Sequence, residues 1–568
     1  IGSRCSASEL RVLCTLTGTM QIQSLLAITV LGTRCVLTLA SWEKIAGYAP
    51  GSKVTAHNAI DLDQKALQNA LAKAPVDYTL AKAIYQQGGN SKSYAEFTVP
   101  PLVSALSKGN AVVGVTSGIQ GTVYSNYAVG VTTIRVAYLT SEVQDTYTSC
   151  KKGALATVPL EVMVASATQP YQFLTGCFTT TEDLRITTSS GDVTIKPSSS
   201  PVNKAGRTLQ GFSTKAEGTM YKKGPNGGCS GASDRSTDGC PYHDFSMYYG
   251  YYGDFDYANK FVLAAMDGTP TTFTKAAGEM DFTGTPDALR VQCIQKGTAY
   301  MYAYMYAIRE FEDAIDDCKA GCTNGINGTG VNCNDLSTAA VHAWDEGVAF
   351  YTGSREGVSA GGNGNGVMSY RLAEKRCVNF KTCGENHDAL SGPSYVNIEI
   401  FRLLQIGATD VLYGRCEAVR PVVRNIVALM AIPLIQGTLR YAYKVGRLSG
   451  GDKEKGEGAV FAAAIVPRVA SCSPIDADTI MNNMKVGASS TDFTAVKTAF
   501  ENNYGCMDIT CEKVGGLWYV EQNTYYDGAS PCGVSSPNQG TADLASPQAS
   551  LLLPCAIMLL VWATGPQT

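Results

Sequence analysis

The sequence is short of charge. Asp, Glu, Lys and Arg make up 17% of its 568 residues, against about 25% in an ordinary soluble protein. The balance is slightly acidic, at a net −4, and no basic block is present to neutralise a phosphate backbone, which argues against nucleic acid as a partner. Histidine is scarcer still. His57, His243, His342 and His387 are the whole set, and none sits in the short four-ligand spacing of a structural zinc site. No uninterrupted apolar run reaches the ~18 residues of a membrane-crossing helix, so a bundle of such helices is not expected. A nucleophile elbow, HExxH and a Ser/His/Asp order are all missing, which leaves a hydrolase without positive support. The run Gly361–Gly366 (GGNGNG) lacks both the preceding strand and the GK[ST] of a phosphate loop. It reads as a flexible loop.

What the chain does have is length for two to four domain-sized units, a 45% hydrophobic share, and 19 cysteines spread along it. Several lie close together: Cys229 and Cys240, Cys318 and Cys322, Cys377 and Cys383, Cys506 and Cys511. That usage fits the disulfides of a secreted protein, with a connectivity that spacing leaves open. The first Met is Met20, and the apolar stretch Leu25–Leu39, interrupted by Arg34, reads as a signal peptide cleaved before Ser41. At the other end, small residues at Gly540–Ala542, a polar spacer Asp543–Ser550 and the apolar tail Leu551–Ala563 have the layout of a GPI-anchor signal. Asn327-Gly328-Thr329 is an N-glycosylation sequon. The expected setting is therefore secreted, in a periplasmic space or at the extracellular surface, with GPI attachment to the membrane as the reading of the tail.

Periodicity predicts a mainly α protein, multi-helix bundles stapled by disulfides, with a small β-hairpin or sheet insertion around 157–200. VPLEVMVA and DLRITTSSGDVTIK alternate as strands, with Ser190-Gly191 as a turn. The expected divisions are 1–40 (upstream segment and signal peptide), 41–204 (helical region with the β insertion), 205–535 (helical domain) and 536–568 (spacer and tail). Asp61 and Asp77 are placed to cap helices within 60–87, and Asp476 and Asp492 repeat that layout further on. Residues 100–150 are expected to form helices of modest propensity. Leu448–Glu457 (LSGGDKEKGE) is expected to be a solvated loop.

Three segments carry residues suited to chemistry. In Tyr300–Cys318 the positions Tyr304, Ile308, Phe311, Ile315 and Cys318 form one apolar stripe, while Tyr302, Tyr306, Glu310, Asp313 and Asp317 fall opposite. Phenol and carboxylate oxygens are hard ligands suited to a hard cation; the competing reading is an acidic face in water. In the next helix His342, Asp345 and Glu346 share one side through i, i+3 and i+4 spacing, away from Trp344, Val348 and Tyr351. A His with two carboxylates is a half-site for a transition metal, although His–carboxylate pairs are also common on surfaces. Glu356 follows in Ser354–Gly357. The third segment, Tyr242–Tyr257 (YHDFSMYYGYYGDFDY), mixes tyrosines with Asp254 and Asp256. Such aromatic density ordinarily means packing.

The segments GFSTKAEGTMY (211–221), YYGDFDYANKF (251–261), KGTAYMYAYMYAIREFEDAIDDC (296–318), HAWDEGVAFYTGSREG (342–357), YRLAEKRCVNFKTC (370–383), PLIQGTLRYAYK (433–444) and MKVGASSTDFTAVKTAFENNYGCMDITC (484–511) resemble the algal iron-assimilation proteins. These are the low-iron-inducible, or high-carbon-dioxide-inducible, periplasmic proteins. The resemblance is long from about 205 to 530 and looser from 45 to 204. It implies a secreted protein that promotes iron uptake at the cell surface; a GPI-like tail departs from the soluble forms of that family. On this footing Glu310, Asp313, Asp317, His342, Asp345, Glu346 and Glu356 are the candidate iron ligands, with Asp254 and Asp256 as outer candidates. Iron, as Fe(II) or Fe(III), would be captured by carboxylates and a phenol, then handed to a membrane iron transporter or reductase, without covalent catalysis. Two alternatives remain open at this point: a structural or adhesive surface glycoprotein, and a di-iron ferroxidase, whose usual Glu-x-x-His order appears here only reversed, as His342-x-x-Asp345.

Overall fold

The structure, a computed structural model, describes residues 42–533 apart from 89–92, 139–155, 165–166, 174–177, 179–180, 205–207, 215–242, 276–277 and 325–338. The expected signal peptide, the GPI-like tail, the Asn327 sequon and the loop Gly224–Cys240 lie outside the described residues.

Helices dominate, as periodicity required. The stripe Tyr304, Ile308, Phe311, Ile315 and Cys318 is buried, on a helix Tyr304–Asn324 that continues from a π-helical segment Gly297–Ala303. The opposite side is not a solvated face: Tyr302, Tyr306 and Glu310 are buried too, and Asp313 and Asp317 are partly exposed. The helix Ala339–Thr352 packs antiparallel beside it, with Tyr306 against Phe350 (ring centroids 4.9 Å) and Phe311 against Trp344 (5.0 Å). This second helix is buried nearly all round, which marks it as central. On its far side the Trp344 indole donates to the Leu404 carbonyl (3.1 Å) and lies over Gly407, where a Cβ would come within 2.1 Å of the ring. Glycine there is a matter of space.

The helix Cys416–Leu448 is long and apolar enough to cross a membrane, yet 78% of its apolar window is buried inside the protein. It serves here as a core helix. Leu448–Glu457, expected as a loop, is corrected to a turn at Ser449–Gly451 between that helix and Asp452–Ala470. Asp452 and Glu454 sit in the first turn of the new helix, where its positive end favours acidic side chains. Two expected caps form: Asp77 accepts from the Leu80 amide (2.9 Å), and Asp492 from those of Thr494 (2.8 Å) and Ala495 (3.2 Å). In the second layout Ser473, not Asp476, caps its helix.

The β region is larger than expected. Strands β1 (Ser93–Thr98), β2 (Ala111–Gly114), β3 (Gln120–Val123), β4 (Thr133–Tyr138), β7 (Leu184–Thr188), β8 (Gly191–Ile195) and β9 (Val202–Lys204) form one antiparallel sheet in the order β8-β7-β2-β3-β4-β1-β9, and β5 (Ala156–Val164) pairs with β6 (Ala167–Phe173) separately. The helices expected over 100–150 are thereby overturned across 100–138, and the remainder of that range lies outside the described residues. AVVG and QGTV are too short and too rich in small residues to display a period of two. The sheet has its own core, including Phe97, Ile134, Val136, Leu184 and Ile186, distinct from the helical core that runs from Ile45 to Ala529. By packing, residues 45–85 belong with the helical body, not with the sheet region they were grouped with from sequence.

Disulfides join Cys318 to Cys416, Cys377 to Cys383, Cys472 to Cys506 and Cys511 to Cys532. Of the close pairs in sequence only Cys377 and Cys383 are bonded to each other among the described residues. The first bridge spans 98 residues and pins the Tyr304–Asn324 helix to the start of Cys416–Leu448, a closure worth roughly 3–5 kcal/mol on chain-entropy grounds.

Candidate metal centre

The polar side of the Ala339–Thr352 helix is covered by the N-terminal strap Ile45–Asn58. The strap is held at its start by main-chain bonds from Ala46 to Gly357 (2.8 Å) and from Gly47 to Val358 (3.1 Å). Its Tyr48 hydroxyl donates to Asp345 Oδ1 (2.7 Å), while the Ser52 amide and hydroxyl both donate to Asp345 Oδ2 (2.7 Å each). A short helix, Thr55–Asn58, then brings His57 onto the same side.

His57 Nε2 lies hard against Glu346 Oε1, and His342 Nε2 is 2.9 Å from that same oxygen. Among the described residues His57, His342 and Glu346 are the group whose ligand atoms all fall within 4.8 Å of one another. His57 and Glu346 are buried, whereas the His342 side chain keeps 42% of its surface exposed. The cluster therefore has two buried members and one that is reachable from solvent.

Ser52 Oγ has one hydrogen, and the unprotonated carboxylate of Asp345 can only accept, so that hydrogen points to Asp345. Ser52 Oγ then accepts from His342 Nδ1, 3.0 Å away. In neutral His342 this fixes the Nδ1–H tautomer and leaves the Nε2 lone pair aimed at Glu346. Lone pair against carboxylate is repulsive unless a proton or a cation lies between them. An Asp–Ser–His relay of this kind is how outer-shell groups orient a metal-binding imidazole. Burial raises the Asp345 carboxyl above its ordinary value, opposed by hydrogen bonds from Tyr48 and Ser52 and by His342. Burial, with the charge of Asp345, pushes the Tyr48 phenol well above its usual range, so Tyr48 stays a donor.

The structure thus brings together His342, Asp345 and Glu346 from the expected set, with Asp345 orienting rather than facing the other imidazole. Tyr306 against Phe350 and Phe311 against Trp344 set Glu310 at the level of Glu346 across the helix pair. Its charge, however, is met by Arg309, which also pairs with Asp313 (3.0 Å). Asp317 lies one turn further along the helix. Glu356 is corrected outright as a ligand of this cluster: it accepts from the amides of Asn363 (3.2 Å), Gly364 (3.0 Å) and Gly366 (3.1 Å) and so shapes the glycine loop. A Cβ on Gly366 would come within 2.1 Å of Glu356 Oε1. Asp254 is likewise committed, to Lys260 (2.5 Å) and to the Thr274 amide (2.6 Å), and Asp256 faces Asn259 (3.4 Å) at the start of the next helix. The tyrosines beside them are packing elements, with Tyr248 and Tyr252 donating to the carbonyls of Ala464 (2.5 Å) and Ala463 (2.7 Å).

Sequence reasoning missed His57, Tyr48 and Ser52, which join the site only through the strap. The one available signal was scarcity, since in a chain with four histidines each is worth testing as a ligand. Comparison of the chain with protein-family models, with curated proteins and with solved structures finds no match.

Proposed function

We propose that this chain captures a first-row transition-metal ion, iron(II) foremost, at His57, His342 and Glu346 and releases it to uptake machinery at the cell surface. One observation carries the reading: the Nε2 atoms of two imidazoles, from separate elements, converge on one oxygen of a buried carboxylate, an arrangement that a shared cation would satisfy. Two imidazoles and one carboxylate, with further positions open, suit Fe(II), and they suit Zn(II) as well. The resemblance to the algal iron-assimilation proteins selects iron, and imidazole ligation favours the softer Fe(II) over Fe(III). The disulfides agree with an oxidising compartment outside the cytosol. The recipient is a membrane iron transporter or reductase, and the chain's own part is binding and release without covalent chemistry. The pairing of Arg309 with Glu310 and Asp313 supports one ion here over the two of a ferroxidase, because the guanidinium already neutralises the carboxylates that a second ion would need.

The test is an anaerobic titration of the metal-free full-length protein with Fe(II), and separately with Zn(II) and chelated Fe(III), with bound metal counted per chain. One Fe(II) per chain, lost in a folded Glu346→Gln variant, is the expected result. A folded wild-type protein that takes up no metal sinks the proposal. Retention of Zn(II) with refusal of iron keeps the site and overturns the cargo.

A further inference from the structure

Beside the metal cluster, where the helical body meets the sheet, lies a cleft of about 780 Å³, within the roughly 300–1,000 Å³ usual for small-molecule sites. One wall is the N-terminal strap, the other is the C-terminal end of β3 with the turn before β2, and Ser354, Gly357 and Val358 also line the cleft. Its charge is out of keeping with the rest of the chain. The whole sequence has 49 acidic against 45 basic side chains, but the cleft is lined by Lys44, Lys53 and Lys108 against Glu43 alone. Lys53 Nζ lies 4.9 Å from the centre of the Tyr124 ring. Lys44 and Lys108 are exposed, and among the described residues their ammonium groups meet no carboxylate. Trp42 and Tyr124 supply the apolar faces. Ser52 belongs to both places, as a lining residue of the cleft and as the hydroxyl that bridges Asp345 and His342.

We propose that this cleft binds a compact organic polycarboxylate, the class of anion that chelates iron in solution, and so receives the metal as its carboxylate complex beside the histidine cluster. The role as a receiving site rests on the metal-capture reading above; the anion site itself does not. Three lysines line this one cleft, Lys44 and Lys108 among them exposed, and an anion that carries several carboxylates on one skeleton can meet more than one of them at once. A single negative charge gains little from them in water, where each exposed pair is worth at most about 1 kcal/mol. The aromatic faces accept the carbon skeleton between the carboxylates. Capture of an intact chelate also avoids a free-ion step in an oxidising compartment. The cleft then holds the stripped chelator while the imidazoles take the ion, with Ser52 on the boundary between them.

Citrate is the probe, titrated calorimetrically into the metal-free full-length protein at low and at moderate salt, with acetate as the monoanion control. Wild type is expected to bind citrate and not acetate, more weakly as salt rises. The Lys44→Gln/Lys53→Gln/Lys108→Gln variant is expected to bind at least ten-fold more weakly, while Glu346→Gln binds citrate within two-fold of wild type. The double variant Lys44→Gln/Lys108→Gln changes only exposed side chains and decides the matter if the triple variant fails to fold; a several-fold loss is expected from it. Citrate that does not bind, or binds both lysine variants as tightly as wild type, overturns the proposal. Fe(II) bound without any citrate affinity removes the cleft proposal and leaves metal capture standing. Lysine-dependent citrate binding without metal uptake does the reverse.

Discussion

Glu346 and Glu356 stand close together in sequence, are both buried, and were both expected to hold metal, yet their surroundings give them opposite work. Glu346 faces two imidazole nitrogens, groups that compete for a cation. Glu356 faces three backbone amides, fixed donors that already satisfy it. Asp61 belongs with Glu356: it does not cap the helix Ile60–Leu71, but accepts from the Ser354 hydroxyl and the Arg355 amide (2.7 Å each). A buried carboxylate surrounded by hydrogen-bond donors is a structural element. One surrounded by other lone-pair ligands is a candidate binding group.

That contrast can be broken or sharpened by experiment. Glu346→Gln is expected to weaken Fe(II) binding more than ~100-fold, since a first ligand is lost, whereas Glu356→Gln should leave it within about three-fold. Equal losses in the two variants, measured by anaerobic titration, would erase the distinction. Ser52→Ala frees His342 to choose its other tautomer and should cost ~10–100-fold in metal affinity, the usual cost of an outer-shell change, with the thermal midpoint little altered. A fall in stability without a fall in affinity would make Ser52 a packing residue only.

The amide-bound carboxylates make a prediction about pH. Burial pushes the Asp61 carboxyl up from 3.8 to about 6, against the lowering effect of its bonds to Ser354 and Arg355. The folded chain thus holds this proton more tightly than the unfolded chain does. The stabilising contribution is present below pH ~4 and is lost as pH rises through about 6, a span worth roughly 2–3 kcal/mol. Urea unfolding across pH 4–7 should show that component in wild type and lack it in Asp61→Asn; a component that persists in the variant assigns the effect elsewhere. Glu356→Gln keeps one acceptor oxygen and loses the other, and should cost ~1–2 kcal/mol of stability. An unchanged denaturation midpoint would show that the glycine loop does not need the charge.

The sequence made some of this legible. A stripe such as Tyr304–Ile308–Phe311 and caps such as Asp77 and Asp492 are local, so spacing alone reveals them. The sheet over 93–138 was not legible as a whole, because AVVG and QGTV at its centre are short, glycine-bearing strands that hide their alternation, and AVVG pairs with a strand far along the chain. The same limit governs the site. His342, Asp345 and Glu346 share one helix turn and could be found by counting, whereas His57 and Ser52 reach them only by tertiary packing. Glu356 was grouped with His342, Asp345 and Glu346 by sequence for the same reason, as the amides it accepts from lie in a loop whose fold the spacing does not encode.

The strap Ile45–Asn58 contributes one of the three members of the cluster, His57, and the Tyr48 and Ser52 that hold Asp345. In the proposed carrier it works as the tongue of a buckle. A bound ion would fasten the strap to the central helix at His57, adding to the hold that the buried Ile45, Ala46, Tyr48 and Val54 already give it in the helical core. Loaded protein should accordingly resist proteolytic nicking within the strap more than metal-free protein does.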